Sequence, residues 1–348
     1  MSEPSARQRL AFLFPGQGSQ KVGMGQALVQ AFPAAREVFD EVDAALGFSL
    51  SRLCFEGPEA ELTMTANAQP AILTTSIAAL RVLEQETPLR PSVVAGHSLG
   101  EYSALVCAGA LSLADAARLV RLRGQFMQEA VPAGTGGMAA ILGLGAVELN
   151  AACQEAMEGE GSPAGQKEIV AAANFNGGGQ IVIAGHKAAV ERACAAAKRR
   201  GAKAALPLAV SAPFHSALMQ PAAERLALEL AKVTVRNPGV PVVTNVEASP
   251  NQDGARVCDL LTRQVTAAVR WEETILKLAS LEISEAIEVG HGSVLAGLVK
   301  RINKGIRVRG ASDPQSIGAL REVDQSRQQE EVEQTEPAER AKQETSNA

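Results

Sequence analysis

The sequence predicts an α/β fold in which a large domain with a mostly parallel sheet carries an inserted ferredoxin-like small domain. Residues 10–20 and 91–100 each contain an apolar run that ends in a glycine-rich turn, and helical stretches lie between them. Strands that alternate with helices in this way favour a parallel sheet with helices on both faces. Residues 138–210 follow a second order, strand–helix–strand–strand–helix–strand, which is the split βαβ pattern of a ferredoxin-like unit.

The small domain is predicted from a succession of apolar and helix-like segments. Its elements are expected at residues 138–145, 146–158, 169–176, 180–186, 187–200 and 203–210. A polar loop, residues 159–168, separates the first helix from the second strand. We assign residues 1–137 and 211–310 to the large domain and residues 138–210 to the insertion.

The C-terminal segment, residues 311–348, is predicted to be a disordered acidic tail. Residues 321–348 carry eight acidic and four basic side chains and few apolar ones. Such a segment buries too little apolar surface to offset the entropy lost on ordering.

The composition is that of an ordinary globular enzyme and excludes several other classes. Hydrophobic residues make up 46% of the chain and charged residues 20%, and the net charge of −5 disfavours nucleic-acid binding. No apolar run is long enough to cross a bilayer, and the polar start lacks the apolar core of a signal peptide. Five cysteines without a C-x-x-C pair indicate reduced thiols, not a disulfide framework or a metal site. We therefore expect a cytoplasmic protein that contacts neither membranes nor nucleic acids.

The turn at residues 96–100 has the sequence Gly-His-Ser-Leu-Gly and marks Ser98 as a candidate nucleophile. It follows a short apolar strand and precedes a helix, which is the context that a G-x-S-x-G nucleophile elbow requires. The helix N-terminus behind Ser98 offers N–H groups to a developing oxyanion. A turn without catalytic function is the alternative, because glycine and serine are favoured in any turn.

A serine hydroxyl needs a general base, and the chain offers four histidines. His215 precedes a helix where the chain re-enters the large domain, and it is our first choice. His291, in another strand-to-glycine turn, is the second candidate. His97 is expected to point away from the hydroxyl of Ser98, and His186 to lie in a loop. No acid stands out between Ser98 and His215, so a Ser–His dyad is predicted in place of a triad.

Five motifs in one order make the chain similar to a known family. They are FPGQGSQ, GHSLGEYSAL, RGQFMQEAVP, APFH and EVGHGSVLAGLVKRI. Together, over about residues 10–310, they resemble the malonyl-CoA:acyl carrier protein transacylases of fatty acid and polyketide synthesis. The resemblance implies an α/β-hydrolase-like large domain with a ferredoxin-like insertion. His291 departs from it, since proline is common at this position in the family.

The resemblance implies catalytic roles for five residues. Ser98 would be the nucleophile and His215 the general base and acid, oriented by the backbone carbonyl of Gln264. The backbone N–H groups of Gln17 and Leu99 would form the oxyanion hole. Without the family, the turn that contains Gln17 would be interpreted as a flexible turn.

The resemblance also implies a binding site for a malonyl group. Arg123 would hold the malonyl carboxylate, because a guanidinium fork pairs with a planar carboxylate through two hydrogen bonds; an ordinary surface arginine is the alternative. Gln69 would line the same pocket, unless it is only a buried residue at a helix start. Phe214 stands where polyketide members with AFH select malonyl and those with ASH select methylmalonyl, which favours the unbranched group.

The function implied is ping-pong transfer of malonyl from malonyl-CoA to the phosphopantetheine thiol of acyl carrier protein, without a cofactor or a metal. An acyl hydrolase or thioesterase and a non-catalytic docking protein are the alternatives. We expect the protein to be a monomer. We also expect its acidic carrier protein to bind at one of two clusters of basic residues, called basic runs below. The runs are Lys300, Arg301, Lys304, Arg307 and Arg309, and Lys198, Arg199, Arg200 and Lys203. A solvated surface without a partner is the alternative for each run.

Overall fold

The computed structural model describes most of the 348-residue chain, namely residues 9–132, 134–158, 168–208, 210 and 212–325. Most of the predicted loop at 159–168 and the part of the predicted tail that follows residue 325 lie outside the described residues. Among the helices of the described ranges, none is long and apolar enough to span a membrane.

Within these ranges ten strands form two sheets. They are β1 (Leu10–Phe14), β2 (Val93–Gly96), β3 (Gly136–Leu142), β4 (Val170–Gly177), β5 (Gln180–His186), β6 (Ala204–Pro207), β7 (Val242–Val243), β8 (Pro250–Asn251), β9 (Glu285–Val289) and β10 (Arg307–Ala311). The larger sheet has the order β10-β9-β1-β2-β7-β8, and its neighbouring strands are parallel except for β7 and β8. The mostly parallel sheet predicted for the large domain is therefore confirmed.

Helices cover both faces of the larger sheet. The α-helices of the described ranges are α1 (Gln26–Ala31), α2 (Pro33–Leu46), α3 (Leu50–Glu56), α4 (Glu59–Thr63), α5 (Thr65–Glu86), α6 (Gly100–Cys107), α7 (Leu113–Glu129), α8 (Ala146–Glu158), α9 (Lys187–Arg199), α10 (Gln220–Leu230), α11 (Gly254–Thr266), α12 (Trp271–Ser280), α13 (Val294–Ile302) and α14 (residues 314–325). On one face Phe12 and Phe14 of β1 belong to the core that includes α5, α6 and α7. On the other face Ala11 and Leu13 pack with α12 and α13. Because both faces are buried, β1 is apolar throughout and does not alternate with polar residues.

The smaller sheet confirms the ferredoxin-like insertion. Its four strands are antiparallel in the order β4-β5-β3-β6, and α8 and α9 cover one face. The opposite face, which includes Met138 of β3, packs toward Phe214 at the junction with the large domain. There the N–H of Phe175 also donates to the carbonyl of Val269, at 2.9 Å. The candidate site lies beside this junction, and the exact domain boundaries at 138 and 210 stay a prediction.

The prediction of a disordered tail is wrong for residues 311–325. Ala311 ends β10, which pairs with β9, and α14 follows it. Ile317 and Leu320 of α14 are 1% and 3% exposed and belong to the main hydrophobic core. The composition of residues 311–348, averaged over the whole segment, hides this short amphipathic helix.

Leu320→Ala should lower the melting temperature clearly, because truncating a buried leucine costs about 2–5 kcal/mol of unfolding free energy. Thermal unfolding followed by circular dichroism measures the change. Val323→Ala is the matched control and should shift the melting temperature little, since Val323 lies in the same helix at 36% exposure. Equal melting temperatures for Leu320→Ala and the parent would show that α14 does not pack stably on the large domain.

Candidate active site

The elbow holds Ser98 between the end of β2 and the start of α6. Ser98 has a φ of 51°, in the left-handed region that residues with a side chain adopt only under strain. A Cβ on Gly96 would lie 1.9 Å from the backbone carbon of Gly100, and one on Gly100 would lie 2.0 Å from the carbonyl oxygen of Phe14. Both glycines are therefore required by close backbone contacts. The strand–turn–helix geometry predicted for residues 96–100 is present.

Ser98 and His215 form a hydrogen-bonded pair. Ser98 Oγ lies 2.7 Å from His215 Nε2, and His215 Nδ1 lies 2.8 Å from the backbone carbonyl oxygen of Gln264. A carbonyl oxygen only accepts, so Nδ1 donates to it and Nε2 is left to accept the hydroxyl proton of Ser98. Burial, followed by the charge of Arg123, lowers the pKa of His215 to about 3, so the imidazole is neutral near pH 7. The pair has the geometry of a nucleophile and its general base.

Arg123 lies inside the protein and not on its surface. Its side chain is 2% exposed, and burial lowers the pKa of the guanidinium. One terminal nitrogen, Nη2, donates to Ser98 Oγ at 3.2 Å and to the side-chain oxygen of Gln264 at 3.0 Å. The other, Nη1, donates to Gln69 Oε1 at 2.7 Å, while Nε has no partner among the described residues. A buried cation thus lies beside the serine hydroxyl with hydrogen-bonding capacity to spare.

Gln264 joins the Ser–His pair to a network that sequence reasoning missed. Its side-chain NH2 group donates to the backbone carbonyl of Ser98 at 3.0 Å and to the carboxylate of Glu101 at 2.7 Å. Glu101 is 2% exposed. The resemblance assigns a role only to the backbone carbonyl of Gln264. The available signal for Glu101 is its place in the GHSLGEYSAL motif, three residues after Ser98.

Asn245 is a second residue that sequence reasoning missed. Its Oδ1 accepts from the N–H of Ser98 at 2.6 Å, and its Nδ2 donates to the carbonyl of Gly96 at 2.7 Å. Asn245 therefore supports the strained turn on both sides of His97. It lies 147 residues from Ser98 in sequence and in none of the quoted motifs, so only the folded chain brings it to the elbow.

The two residues predicted to form the oxyanion hole flank the site. Gln17 lines the cavity that contains Ser98, and Leu99 directly precedes the first residue of α6. In the described part of the chain, neither backbone N–H has a hydrogen-bond partner, whereas the N–H of Ser98 donates to Asn245. Both groups are available to an oxyanion, and their role stays a prediction.

The other histidines have different surroundings. His97 Nε2 lies 2.8 Å from Asn176 Oδ1, a contact that satisfies its ring without the hydroxyl of Ser98. His186 ends β5 and does not lie in a loop, and its Nδ1 accepts a backbone hydrogen bond. His291, our second candidate for the base, is not among the residues that line the cavity.

One cavity of about 620 Å³ brings together most of the predicted site residues. Its lining includes Gln17, Gln69, Ser98, Arg123, Phe214 and His215. Leu99 and Gln264 are buried. Phe214 packs against the cores of both domains, so it fixes one wall of the cavity at their junction. The arrangement is suited to attack by Ser98 on a carbonyl carbon while Arg123 holds an anionic group of the same substrate.

The chain resembles acyl transferases in both sequence and structure. Residues 11–345 match the family described as acyl transferase domain. Over 315 residues the chain is 50% identical to the malonyl CoA-acyl carrier protein transacylase of Escherichia coli strain K12, which covers 90% of this chain and 99% of that protein. An acyl carrier protein S-malonyltransferase from Vibrio cholerae O1 matches with a TM-score of 0.86 and 45% identity, over 90% of this chain and 100% of that one. A malonyl-transacylase in complex with a type II PKS acyl-carrier protein matches with a TM-score of 0.86 and 45% identity, over 90% and 99% of the two chains.

Gly100→Ala should lower the melting temperature and open the elbow, because the added Cβ would overlap the carbonyl of Phe14. Thermal unfolding and amide hydrogen exchange of residues 96–102 measure the two effects. Gly297→Ala is the matched control, since Gly297 lies in α13 with no atom within 4 Å of the added Cβ. This control should be unchanged or about 0.5–1 kcal/mol more stable, as expected for alanine in a helix. Equal behaviour of the two variants would contradict the close contact at Gly100.

Proposed function

The chain belongs to the acyl transferase domain family, and we propose that it transfers a malonyl group from malonyl-CoA to the phosphopantetheine thiol of an acyl carrier protein. The carrier would be one of fatty acid or polyketide synthesis. The observation that carries the proposal is the distance of 3.2 Å between Arg123 Nη2 and Ser98 Oγ. This distance sets a buried cation within reach of the free carboxylate of a malonyl ester on Ser98.

In the first half-reaction His215 removes the hydroxyl proton of Ser98 as Oγ attacks the thioester carbon of malonyl-CoA. The backbone N–H groups of Gln17 and Leu99 stabilise the negative charge on the carbonyl oxygen. The loss of one such donor raises the activation free energy by about 2.7–4 kcal/mol. The imidazolium then gives its proton to the sulfur of coenzyme A as the C–S bond breaks. The carbonyl of Gln264 holds Nδ1–H of the imidazole throughout, so a dyad performs the reaction without an orienting acid.

In the second half-reaction the same groups act in the reverse sense. His215 takes the proton of the carrier's thiol, the sulfur attacks the malonyl ester, and Ser98 regains its proton as it leaves. Coenzyme A and acyl carrier protein end in the same phosphopantetheine arm, so one channel serves both substrates in turn. This is a ping-pong scheme with a covalent intermediate.

The acyl group is selected by the residues around Arg123. A charge-assisted, two-pronged pair with the malonyl carboxylate is stronger in a buried site than in water. Gln69 supports this pair by holding Nη1 of the guanidinium. Phe214 limits the room beside the acyl chain, which favours malonyl over a branched group.

We propose that the carrier protein docks on the basic run at the end of α13. In the run on α9, Arg199 and Arg200 both pair with Glu155, at 2.5 and 2.9 Å, and Arg200 also lies 3.5 Å from Glu148, so two carboxylates offset these two charges. The run at the end of α13 has four cations without an ion pair to any described residue, Lys300, Arg301, Lys304 and Arg307, whereas the run on α9 has two, Lys198 and Lys203. The four charges at the end of α13 remain available to an acidic partner.

We also propose that the protein acts as a monomer in the cytoplasm. Its five cysteines have no disulfide partner, which suits a reducing compartment. Burial raises the pKa of Cys54 and of Cys107 to about 12, so both remain thiols.

Ser98→Ala should abolish covalent labelling by radiolabelled malonyl-CoA, because the ester forms on its hydroxyl. His215→Ala should slow labelling about 10²–10⁴-fold, the usual contribution of a general base. His291→Ala replaces a histidine outside the cavity lining and is the matched control, which should label at the parent rate. The rate is measured by acid quenching and counting of the protein-bound label.

The same label separates malonyl transfer from other functions. When acyl carrier protein is added, an acyl transferase moves the label to the carrier, an acyl hydrolase releases malonate, and a docking protein takes up no label. Either of the last two results would contradict the proposed function. A larger loss in His291→Ala than in His215→Ala would contradict the assignment of the base.

Arg123→Ala should reduce kcat/KM for malonyl-CoA at least 100-fold, because losing one partner of a buried ion pair costs about 3–5 kcal/mol. The value for acetyl-CoA should hold or rise, since an acetyl group has no carboxylate. Steady-state kinetics with both substrates measure the preference. Equal losses for the two substrates would show that Arg123 supports the fold or binds coenzyme A.

Arg118→Ala is the matched control for this experiment. The Arg118 side chain is 53% exposed, lies in the same helix and pairs with Asp115. It should leave both kcat/KM values near those of the parent. Arg121 is unsuitable as a control, because it donates to the carbonyl of Ala66 near the start of α5, the helix that carries Gln69.

A further inference from the structure

Glu101 is a buried carboxyl group that the proposed mechanism does not use. It lies in the first turn of α6 and is 2% exposed. Its Oε2 accepts from the N–H of Asn245 at 3.1 Å and from the side-chain NH2 of Gln264 at 2.7 Å. Burial raises the pKa of Glu101 to about 7, while these two hydrogen bonds and the charge of Arg123 oppose the rise.

The side chain of Gln264 connects Glu101 to Arg123. Its NH2 group donates to Glu101, and its Oε1 accepts from Nη2 of Arg123 at 3.0 Å. An ionised carboxylate only accepts, so it fixes the amide with NH2 toward Glu101 and oxygen toward Arg123. The carboxylate and the guanidinium are therefore the two ends of one hydrogen-bonded chain.

Arg123 and Glu101 are the two charges that must balance in this buried region. Among the described residues, the other titratable groups close to them are Tyr102, Cys258, His215 and, next to His215, His97. Burial raises the pKa of Tyr102 and of Cys258. It lowers the pKa of His97 and lowers that of His215 to about 3, so all four groups are neutral at pH 7 to 8. A buried charge without a counter-charge is costly. In the free protein the ionised form of Glu101 supplies the counter-charge of Arg123.

We propose that Glu101 is a positioning residue that balances Arg123 in the free enzyme and takes up one proton when the carboxylate of the substrate binds to Arg123. This inference rests on malonyl transfer as the function. Without such a proton, two carboxylates would share one guanidinium inside the protein, and the repulsion between them raises the pKa of one. Protonation of Glu101 keeps the site neutral overall with and without the malonyl group.

The proton balance of the first half-reaction makes the inference testable. Acylation exchanges the O–H bond of Ser98 for the S–H bond of coenzyme A, so the reaction itself neither binds nor releases a proton. The ionisation of the departing thiol is the same for every variant of the enzyme. Any proton that is taken up from solution when the malonyl group binds is therefore bound by a side chain of the protein.

Proton uptake is measured with the full-length enzyme and malonyl-CoA at pH 8, in weak buffer with an indicator dye and without carrier protein. Acid quenching with radiolabelled substrate counts the malonyl ester formed in the same mixture. Glu101 is mostly ionised at this pH in the free enzyme, so the parent should take up about one proton per ester more than Glu101→Gln. Between pH 7 and 8, kcat/KM for malonyl-CoA should also fall several-fold more in the parent than in this variant.

Glu101→Gln preserves the size of the side chain, and its single oxygen can still accept from Asn245 and Gln264. Glu288→Gln is the matched control, because Glu288 is a buried carboxyl group whose oxygens accept from backbone N–H groups of α13, and its pKa is also raised by burial. Glu288→Gln should show the proton uptake of the parent. A purely structural role for Glu101 would leave the uptake unchanged in both variants.

The outcomes separate this inference from the proposed function. Equal uptake by the parent and Glu101→Gln would overturn the inference, and so would a parent that forms the ester without binding a proton. A parent that forms no malonyl ester would contradict the proposed function instead. If Glu101→Gln does not fold, the parent still tests the inference, because a parent that forms the ester without binding a proton overturns it.

Discussion

The burial of one guanidinium, that of Arg123, is the constraint on which the rest of the site depends. A buried charge is tolerated only where hydrogen bonds replace the water it has lost. Gln69 of α5, Ser98 of the elbow and Gln264 of α11 supply these bonds, so three separate elements must meet at one point. None of the three side chains is a carboxylate. A directly paired aspartate or glutamate would satisfy Arg123 permanently and leave no place for a substrate anion.

The backbone at the site is strained, and the surrounding contacts hold it in place. Ser98 and His215 both have positive φ angles, 51° and 57°. Strain of this kind persists only where neighbouring groups over-determine the conformation. At Ser98 they are the two hydrogen bonds of Asn245 and the contact between Gly96 and Gly100. The hydroxyl and the imidazole are therefore aligned before any substrate arrives, which is the geometric condition for general-base catalysis.

Sequence reasoning finds the parts of this protein whose signals are local. The elbow at Ser98 is a short pattern in a strand–helix context, and the ferredoxin-like unit is a regular succession of six elements. The role of Arg123 could be predicted only from the family resemblance, because an arginine on a helix would otherwise be expected at the surface. Neither approach assigned a role to Asn245 or Glu101, although Glu101 lies in a family motif, because their roles depend on contacts that span 144 to 163 residues of sequence. The helix at 314–325 escapes for a different reason, because it is short and adjoins a polar segment that dominates the composition.

An amide between a buried acid and a buried base keeps the base available to the substrate. In direct contact, a guanidinium and a carboxylate form a strong two-pronged pair, which a malonyl carboxylate would have to displace. With Gln264 between them, the attraction acts over a longer distance and is weaker, yet the two charges still balance. The backbone carbonyl of the same residue holds His215. Any movement of α11 that releases the guanidinium therefore also releases the general base, so α11 joins recognition of the acyl group to the chemistry performed on it.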